Sequence, residues 1–386
     1  MGPYVVVFVT SAGSVALLTP VVRFAARRFG AIDKPSDRKV HPRPTPTLGG
    51  VGLLVGVIAG LAATWFVPEF RPLFRQSSDL QGALVAGVVI CLIGAIDDVR
   101  NLSVPSKVAG QVLAAGVLIL FGVELLFFWF PFGQGIVIVG SDLAVPLTVI
   151  WVLILVNAVN LIDGLDGLAA GIVAIGAVSF FVWVYASPPA LTGPVSTSAV
   201  LCAITAGVAV GFLPWNFHPA RIFMGDSGSM LLGLLLATAT ISGVGHNVAP
   251  SGGDLAAFAI PVLIPAIVLA VPLLDVALAI VRRMAHGRPV FAPDKEHIHH
   301  QLQEIGHTHR RTVLIMYVWS VLLAGSGLAV SFINGRALVG SIVGGALLLI
   351  AATYIPSRIR KGRRSRRMAA VPTAVPASPE PERKGA

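Results

Sequence analysis

Five aspartates stand where an otherwise apolar chain turns: Asp97 and Asp98 as an adjacent pair, Asp163 and Asp166 three residues apart, and Asp226. An Asp at a helix end commonly caps exposed backbone N–H groups, and a single one needs no further reading. Five in three loops do, because adjacent carboxylates raise the cost of ionising one another and require a cation. Oxygen donors with no thiolate among them favour a hard divalent ion, Mg²⁺ with Mn²⁺ as a substitute. Groups suited to an anionic diphosphate accompany them: Lys107 after the pair, Arg221 just before Asp226, and Arg288, His297, His299 and His300 further on. Acids that hold a metal, with cations facing them, suit phosphoryl transfer, where catalysis is mostly positioning and charge neutralisation. No GxxxxGK[ST] run occurs, which excludes an ATP-driven P-loop machine.

The elements that hold these loops must be membrane helices. With 55% hydrophobic and 12% charged residues and a mean hydropathy of +0.84, the chain carries too little charge for a soluble domain. The basic residues lie between apolar runs rather than along a soluble stripe, which excludes nucleic-acid binding. Windows of about 20 apolar residues number about eleven. They cover 4–22, 48–66, 81–96, 108–128, 143–160, 166–186, 197–214, 228–245, 256–281, 312–331 and 337–355. The stretch 121–150 is ambiguous, since Gly133-Gln134-Gly135 and the Val/Ile alternation after it also suit a short hairpin. With the N-terminus outside, every one of the 28 Lys and Arg residues except Arg71, Arg75 and Arg336 falls in an inside segment. The expected fold is therefore an all-α polytopic membrane protein with its C-terminus cytoplasmic and an active site formed by cytoplasmic loops. The first apolar run has no Lys or Arg before it, so it reads as a retained span rather than a signal peptide. Residues 1–356 read as a single transmembrane domain. Residues 357–386, basic and then Ala/Pro/Glu-rich, read as a disordered cytoplasmic tail attracted to anionic lipid. Cys91 and Cys202 lie inside apolar windows and read as packing residues.

Five segments in order carry a resemblance. They are Asp33-Lys34-Pro35 leading to Pro44-Thr45-Pro46-Thr47-Leu48-Gly49-Gly50; Asp97-Asp98; the run from Asn157 through Asn160, Asp163 and Asp166 to Leu168; Phe223-Met224-Gly225-Asp226-Ser227-Gly228-Ser229; and His297-Ile298-His299-His300. Together, over roughly residues 30–310, they resemble the polyprenyl-phosphate N-acetylhexosamine-1-phosphate transferases. The resemblance implies a helical bundle of the bacterial plasma membrane that joins a UDP-sugar to a polyprenyl phosphate with Mg²⁺ and releases UMP. It implies Asp226 as metal ligand with Asn160 nearby, Asp97 and Asp98 near the lipid phosphate and the metal, Lys107 on phosphate, and Asp163 supporting the metal loop. It also implies Asp166, Asn216, Phe223 and Arg43 around the uridine, and His297, His299 and His300 toward the sugar diphosphate, where the position of Arg221 before Asp226 also suits it to bind substrate. Arg43 departs from the muramyl branch, where Lys-Gly precedes Thr-Pro-Thr and here Arg43-Pro44 stands instead. The implied partners are the UDP-sugar, the lipid phosphate and the bilayer, with a homodimer as one assembly.

The form His-Ile-His-His resembles the N-acetylglucosamine branch rather than the muramyl-pentapeptide branch with its three consecutive histidines, so UDP-N-acetylglucosamine is the expected donor. Zinc on these histidines is disfavoured, because adjacent residues make an awkward tetrahedral set and no thiolate accompanies them. Asp275, within an apolar window, reads either as functional or as bonded to a neighbouring helix. His246 and Asp254 read as solvated. A transporter would concentrate polar residues near the midplane, whereas here they cluster in inside loops.

Overall fold

The computed structural model describes residues 1–33, 44–130, 135–138, 140–187, 195–244 and 307–332, with positions 284, 302, 340, 344 and 345. The chain opens with α1 (Gly2–Arg28), whose 27 residues span about 40 Å at 1.5 Å per residue. Pro3 opens α1, where a missing N–H costs nothing, and Arg27 and Arg28 close it at the negative end of its dipole. The short strands β1 (Ile32–Asp33) and β2 (Thr45–Pro46) then pair antiparallel, and α2 (Gly49–Phe66) follows. A 3₁₀ turn (Pro68–Phe70) and the single-turn α3 (Leu73–Gln76) lead into α4 (Asp79–Arg100). The next helices are α5 (Val104–Leu120), α6 (Ser141–Ile162), α7 (Leu168–Ala186), α8 (Thr197–Asn216), α9 (Gly225–Val244) and α10 (His309–Phe332).

Seven of the described helices (α1, α2, α4, α6, α7, α8 and α10) are long and apolar enough to cross a membrane. Lipid gives apolar side chains no incentive to leave it for one another, so close packing through small residues must hold such helices together. Gly56 and Gly60 of α2 do this: a Cβ on Gly56 would meet Val15 and Val208, and one on Gly60 would meet Ser11 and Ile204. Gly207 and Gly211 of α8 likewise face the backbone of Phe8 and Ala12 on α1. The helix α9 runs through the middle, packed against α2, α4, α6 and α8, and Leu231, Leu234, Leu235 and Ile241 are fully buried. Some polar groups inside the bundle pair across helices. Asn157 and Gln111 exchange amide bonds between α6 and α5, and the Trp151 indole N–H donates to Thr240 at 2.9 Å.

Each expected span up to 228–245, and that at 312–331, meets a described helix. The one at 108–128 needs correction: α5 stops at Leu120, Gly122 takes φ 83, and Phe127–Phe130 (β3) pairs antiparallel with Gly135–Ile138 (β4). The left-handed glycine ends the helix, and the alternating Val/Ile run then pairs rather than completing a second span. The expected spans at 256–281 and nearly all of 337–355 lie outside the described residues, as do Asp275 and the tail.

Candidate active site

The site grows from helix ends that are brought together by glycines. The segment Thr45–Gly50, which runs from β2 through Leu48 at φ 72 into the first turn of α2, docks on the loop before α9. The Phe223 N–H donates to Pro46 O at 2.9 Å, Gly49 N–H to Phe223 O at 3.0 Å, and Gly50 N–H to Met224 O at 2.9 Å. Two segments far apart in sequence thus form one backbone unit. Side chains would prevent it: a Cβ on Gly50 would collide with the backbone of Ser227 and Gly228, and one on Gly94 with the backbone of Asp226 and Ser227. Gly225 takes φ 68 directly against the Asp98 carboxylate, a conformation and a space that only glycine tolerates.

Where α4, α5, α6 and α9 meet, their polar ends form one network. The Lys107 ammonium, in the first turn of α5, donates to Asp226 Oδ2 at 2.5 Å and is also ion-paired with Asp97 Oδ2. Asp97 is 6% exposed and its other oxygen accepts the Leu102 N–H. Asn160 Nδ2 donates to Asp226 Oδ1 and to Ser229 Oγ, both at 2.9 Å. Ser229 donates its own hydroxyl proton to Gly225 O, so it must accept from Asn160, which leaves Asn160 Oδ1 as the free end of that amide. Asp98 has a different task. Its carboxylate accepts the Asp226 N–H at 2.7 Å, the Ser227 N–H at 3.3 Å and the Ser227 hydroxyl at 2.8 Å. It is an N-cap supplied to α9 from another helix, and it satisfies donors that the first turn leaves without intrahelical partners.

Asp163 closes α6, and no described residue donates to its carboxylate. Desolvation first, then the Asp226, Asp98 and Asp166 carboxylates, push it well above the usual carboxylate range. Among the described residues, Asp97, Asp98, Asp163 and Asp226 share a single ammonium, that of Lys107. The donor set of carboxylate and amide oxygens with excess negative charge fits a hard divalent cation.

Beside this cluster the loop Asp163–Gly167 turns into α7, with Gly167 at φ 82. The Gly167 N–H donates to Asn216 Oδ1 at 3.0 Å, and Asn216 Nδ2 donates to Ile222 O at 3.1 Å. Asn216 is 2% exposed, so both ends of its amide tie one loop to another inside the protein. The Tyr317 hydroxyl donates to Gly167 O from α10. Asp166 Oδ2 accepts from His218 Nδ1 at 2.7 Å and from the Ala220 N–H at 3.0 Å. The His218 ring stacks on His309 with centroids 4.2 Å apart. His218, Pro219, Thr308, His309 and Arg310 line a cleft of about 290 Å³ on that flank.

The structure thus brings Asp97, Asp98, Lys107, Asn160, Asp163 and Asp226 together, with Asp166 and Phe223 on the adjoining loops and Asn216 at the end of α8. Arg221 is exposed, with its guanidinium 5.6 Å from the Trp215 ring centroid and no ion pair to Asp226. Arg43, Arg288, His297, His299 and His300 lie outside the described residues. Sequence reasoning did not single out Ser227, Ser229, His218, His309 or Tyr317 for a role. The serines sit in the segment Gly225–Ser229 and were legible there as polar residues in a helix's first turn. For the others only the tertiary contacts give a signal.

The chain is similar to known proteins over most of its length. The profile of Glycosyl transferase family 4 matches residues 80–244, which contain the whole carboxylate network. The decaprenyl-phosphate N-acetylglucosaminephosphotransferase of Mycobacterium tuberculosis is 40% identical, over 89% of this chain and 86% of the relative. A probable undecaprenyl-phosphate N-acetylglucosaminyl 1-phosphate transferase of Bacillus subtilis is 38% identical over 81% of each chain. The undecaprenyl-phosphate alpha-N-acetylglucosaminyl 1-phosphate transferase of Escherichia coli strain K12 is 28% identical over 83% of each. With that identity running nearly end to end, and the matched segments building one network, the chain belongs to glycosyl transferase family 4, the polyprenyl-phosphate N-acetylhexosamine-1-phosphate transferases.

Proposed function

We propose that the protein transfers N-acetylglucosamine 1-phosphate from UDP-N-acetylglucosamine to a polyprenyl phosphate, giving polyprenyl-diphosphate-N-acetylglucosamine and UMP, with Mg²⁺ at the cytoplasmic face of the plasma membrane. Relatives aligned over most of the chain are named for transfer of this sugar phosphate to a polyprenyl phosphate. The observation that carries the site assignment is Lys107 bridging Asp97 and Asp226 where four helix ends converge. The cytoplasmic placement, N-terminus outside and C-terminus inside rest on the partition of Lys and Arg.

The lipid phosphate is a monoester whose second pKa of about 6 leaves it largely dianionic at neutral pH, so it needs placing more than activating. One of its oxygens bonds to the β-phosphorus of the donor, the bond from that phosphorus to the bridging oxygen breaks, and UMP leaves with the electron pair. Lys107 donates to the phosphate oxygens, and Asp97 holds its ammonium in place. Asp226, Asn160 Oδ1 and Asp163 are the oxygens that would hold Mg²⁺, which neutralises diphosphate charge when bound. Asp98 fixes the backbone that carries Asp226, and Asp166 with Phe223 faces the uridine. His297, His299 and His300 are assigned to the sugar diphosphate from the resemblance alone.

The test is to supply membranes containing the protein with radiolabelled UDP-N-acetylglucosamine and, separately, labelled UDP-muramyl-pentapeptide. Label should enter the lipid phase from the first donor. Entry only from the second would move the protein to the muramyl branch.

A further inference from the structure

We infer that His218 is a positioning residue for nucleotide selection: it holds Asp166 Oδ2 so that Oδ1 stays available as the acceptor for the donor's base. An ionised carboxylate only accepts hydrogen bonds, so His218 Nδ1 carries the proton in its 2.7 Å contact with Asp166. The Ala220 N–H reaches the same oxygen at 3.0 Å, and no described residue donates to Oδ1. The imidazole is itself held. It stacks on His309 at 4.2 Å with the rings 20° apart, and its backbone oxygen accepts from Arg310 Nε at 2.9 Å. Asn216 and Tyr317 hold the backbone of the next residue, Gly167, so that main chain and carboxylate are fixed by separate clamps.

The consequence is chemical selectivity. Uracil presents an N3–H that an oriented carboxylate oxygen accepts, whereas cytosine presents a lone pair at N3 that the same oxygen repels. A group that fixes which oxygen points outward therefore acts on the choice of base through Asp166, without touching the phosphates. This inference rests on the placement of uridine at Asp166 proposed above.

The test measures UMP and CMP affinity by calorimetry on the purified protein, with KM and kcat for UDP-N-acetylglucosamine alongside. His218→Phe keeps a ring to stack on His309 but has no donor. His218→Asn places an amide N–H close to where Nδ1–H was. We expect His218→Phe to weaken UMP binding about tenfold, to raise KM more than it lowers kcat, and to narrow the preference for UMP over CMP, while His218→Asn recovers to within about threefold of wild type. Because His218 acts through Asp166, adding His218→Phe to Asp166→Ala should weaken UMP binding no further than about twofold. An unchanged His218→Phe, an Asn variant no better than Phe, or a full additional loss in the Asp166→Ala background would each overturn the inference. Should His218→Phe not fold, His218→Ala takes its place with the same outcomes. If Asp166→Ala binds UMP as tightly as wild type, the uridine placement itself fails; if Asp166→Ala loses UMP and His218→Phe does not, only this inference fails.

Discussion

Asp226→Asn removes one charge and almost no volume, which makes it a clean perturbation of the network. The Asn side chain keeps an oxygen for the Asn160 amide, now 2.9 Å from Asp226 Oδ1, and the backbone N–H at 226 keeps its 2.7 Å bond to Asp98. What disappears is the anionic partner of Lys107 at 2.5 Å and the carboxylate ligand offered to a divalent cation. Loss of one preorganised electrostatic group from a catalytic site costs about 2.7–4 kcal/mol, a factor of roughly 10²–10³ in kcat. The assay is transfer of label from UDP-N-acetylglucosamine into organic-extractable lipid by detergent-purified protein at saturating Mg²⁺, with the apparent Tm recorded beside it. Turnover should fall by that factor while Tm stays close to wild type. Turnover within about threefold of wild type would refute the assignment of Asp226 to the metal and the chemistry.

Four further outcomes follow from the same geometry. Asp98→Ala should lower the apparent Tm by several degrees as well as activity, because three donors at the start of α9 lose their acceptor, at about 1–3 kcal/mol for groups left unsatisfied; an unchanged Tm would show that the cap is dispensable. Chelation should abolish transfer and Mg²⁺ or Mn²⁺ restore it. Asp163 carries a raised pKa in the fold, so the metal-free protein should lose stability as pH rises through that value, and apparent Mg²⁺ affinity, measured by thermal shift, should tighten over the same range because the ion must displace the proton; affinity flat with pH would remove Asp163 from the metal shell. A single displacement requires that labelled UMP exchange into UDP-N-acetylglucosamine only when polyprenyl phosphate is present, whereas lipid-independent exchange abolished by Asp97→Asn would make that carboxylate a covalent nucleophile.

By itself the sequence determined that this chain is a polytopic membrane protein, nearly where its described helices run, and which helix ends carry the carboxylates that the fold brings together. Hydropathy windows and helix-end carboxylates are local properties, and a helix crossing lipid must satisfy its backbone within its own segment, so spans are legible without knowing their neighbours. Gly133-Gln134-Gly135 and the Val/Ile run after it held the cue for the β3–β4 hairpin, although hydropathy alone carried the window past Leu120. Only the tertiary structure separated the adjacent aspartates, turning Asp98 into the cap of α9 and Asp97 into the partner of Lys107. One residue of helical rotation, about 100°, points successive side chains to different neighbours, and which neighbours stand there depends on how closely Gly50, Gly94 and Gly225 let α2, α4 and α9 approach. The same holds for Asn216, a polar residue whose amide is directed inward to join two loops, and for His218, whose partner lies across the fold at Asp166. Residue type and spacing name the candidates, and the packing of helix ends decides which of them meets which.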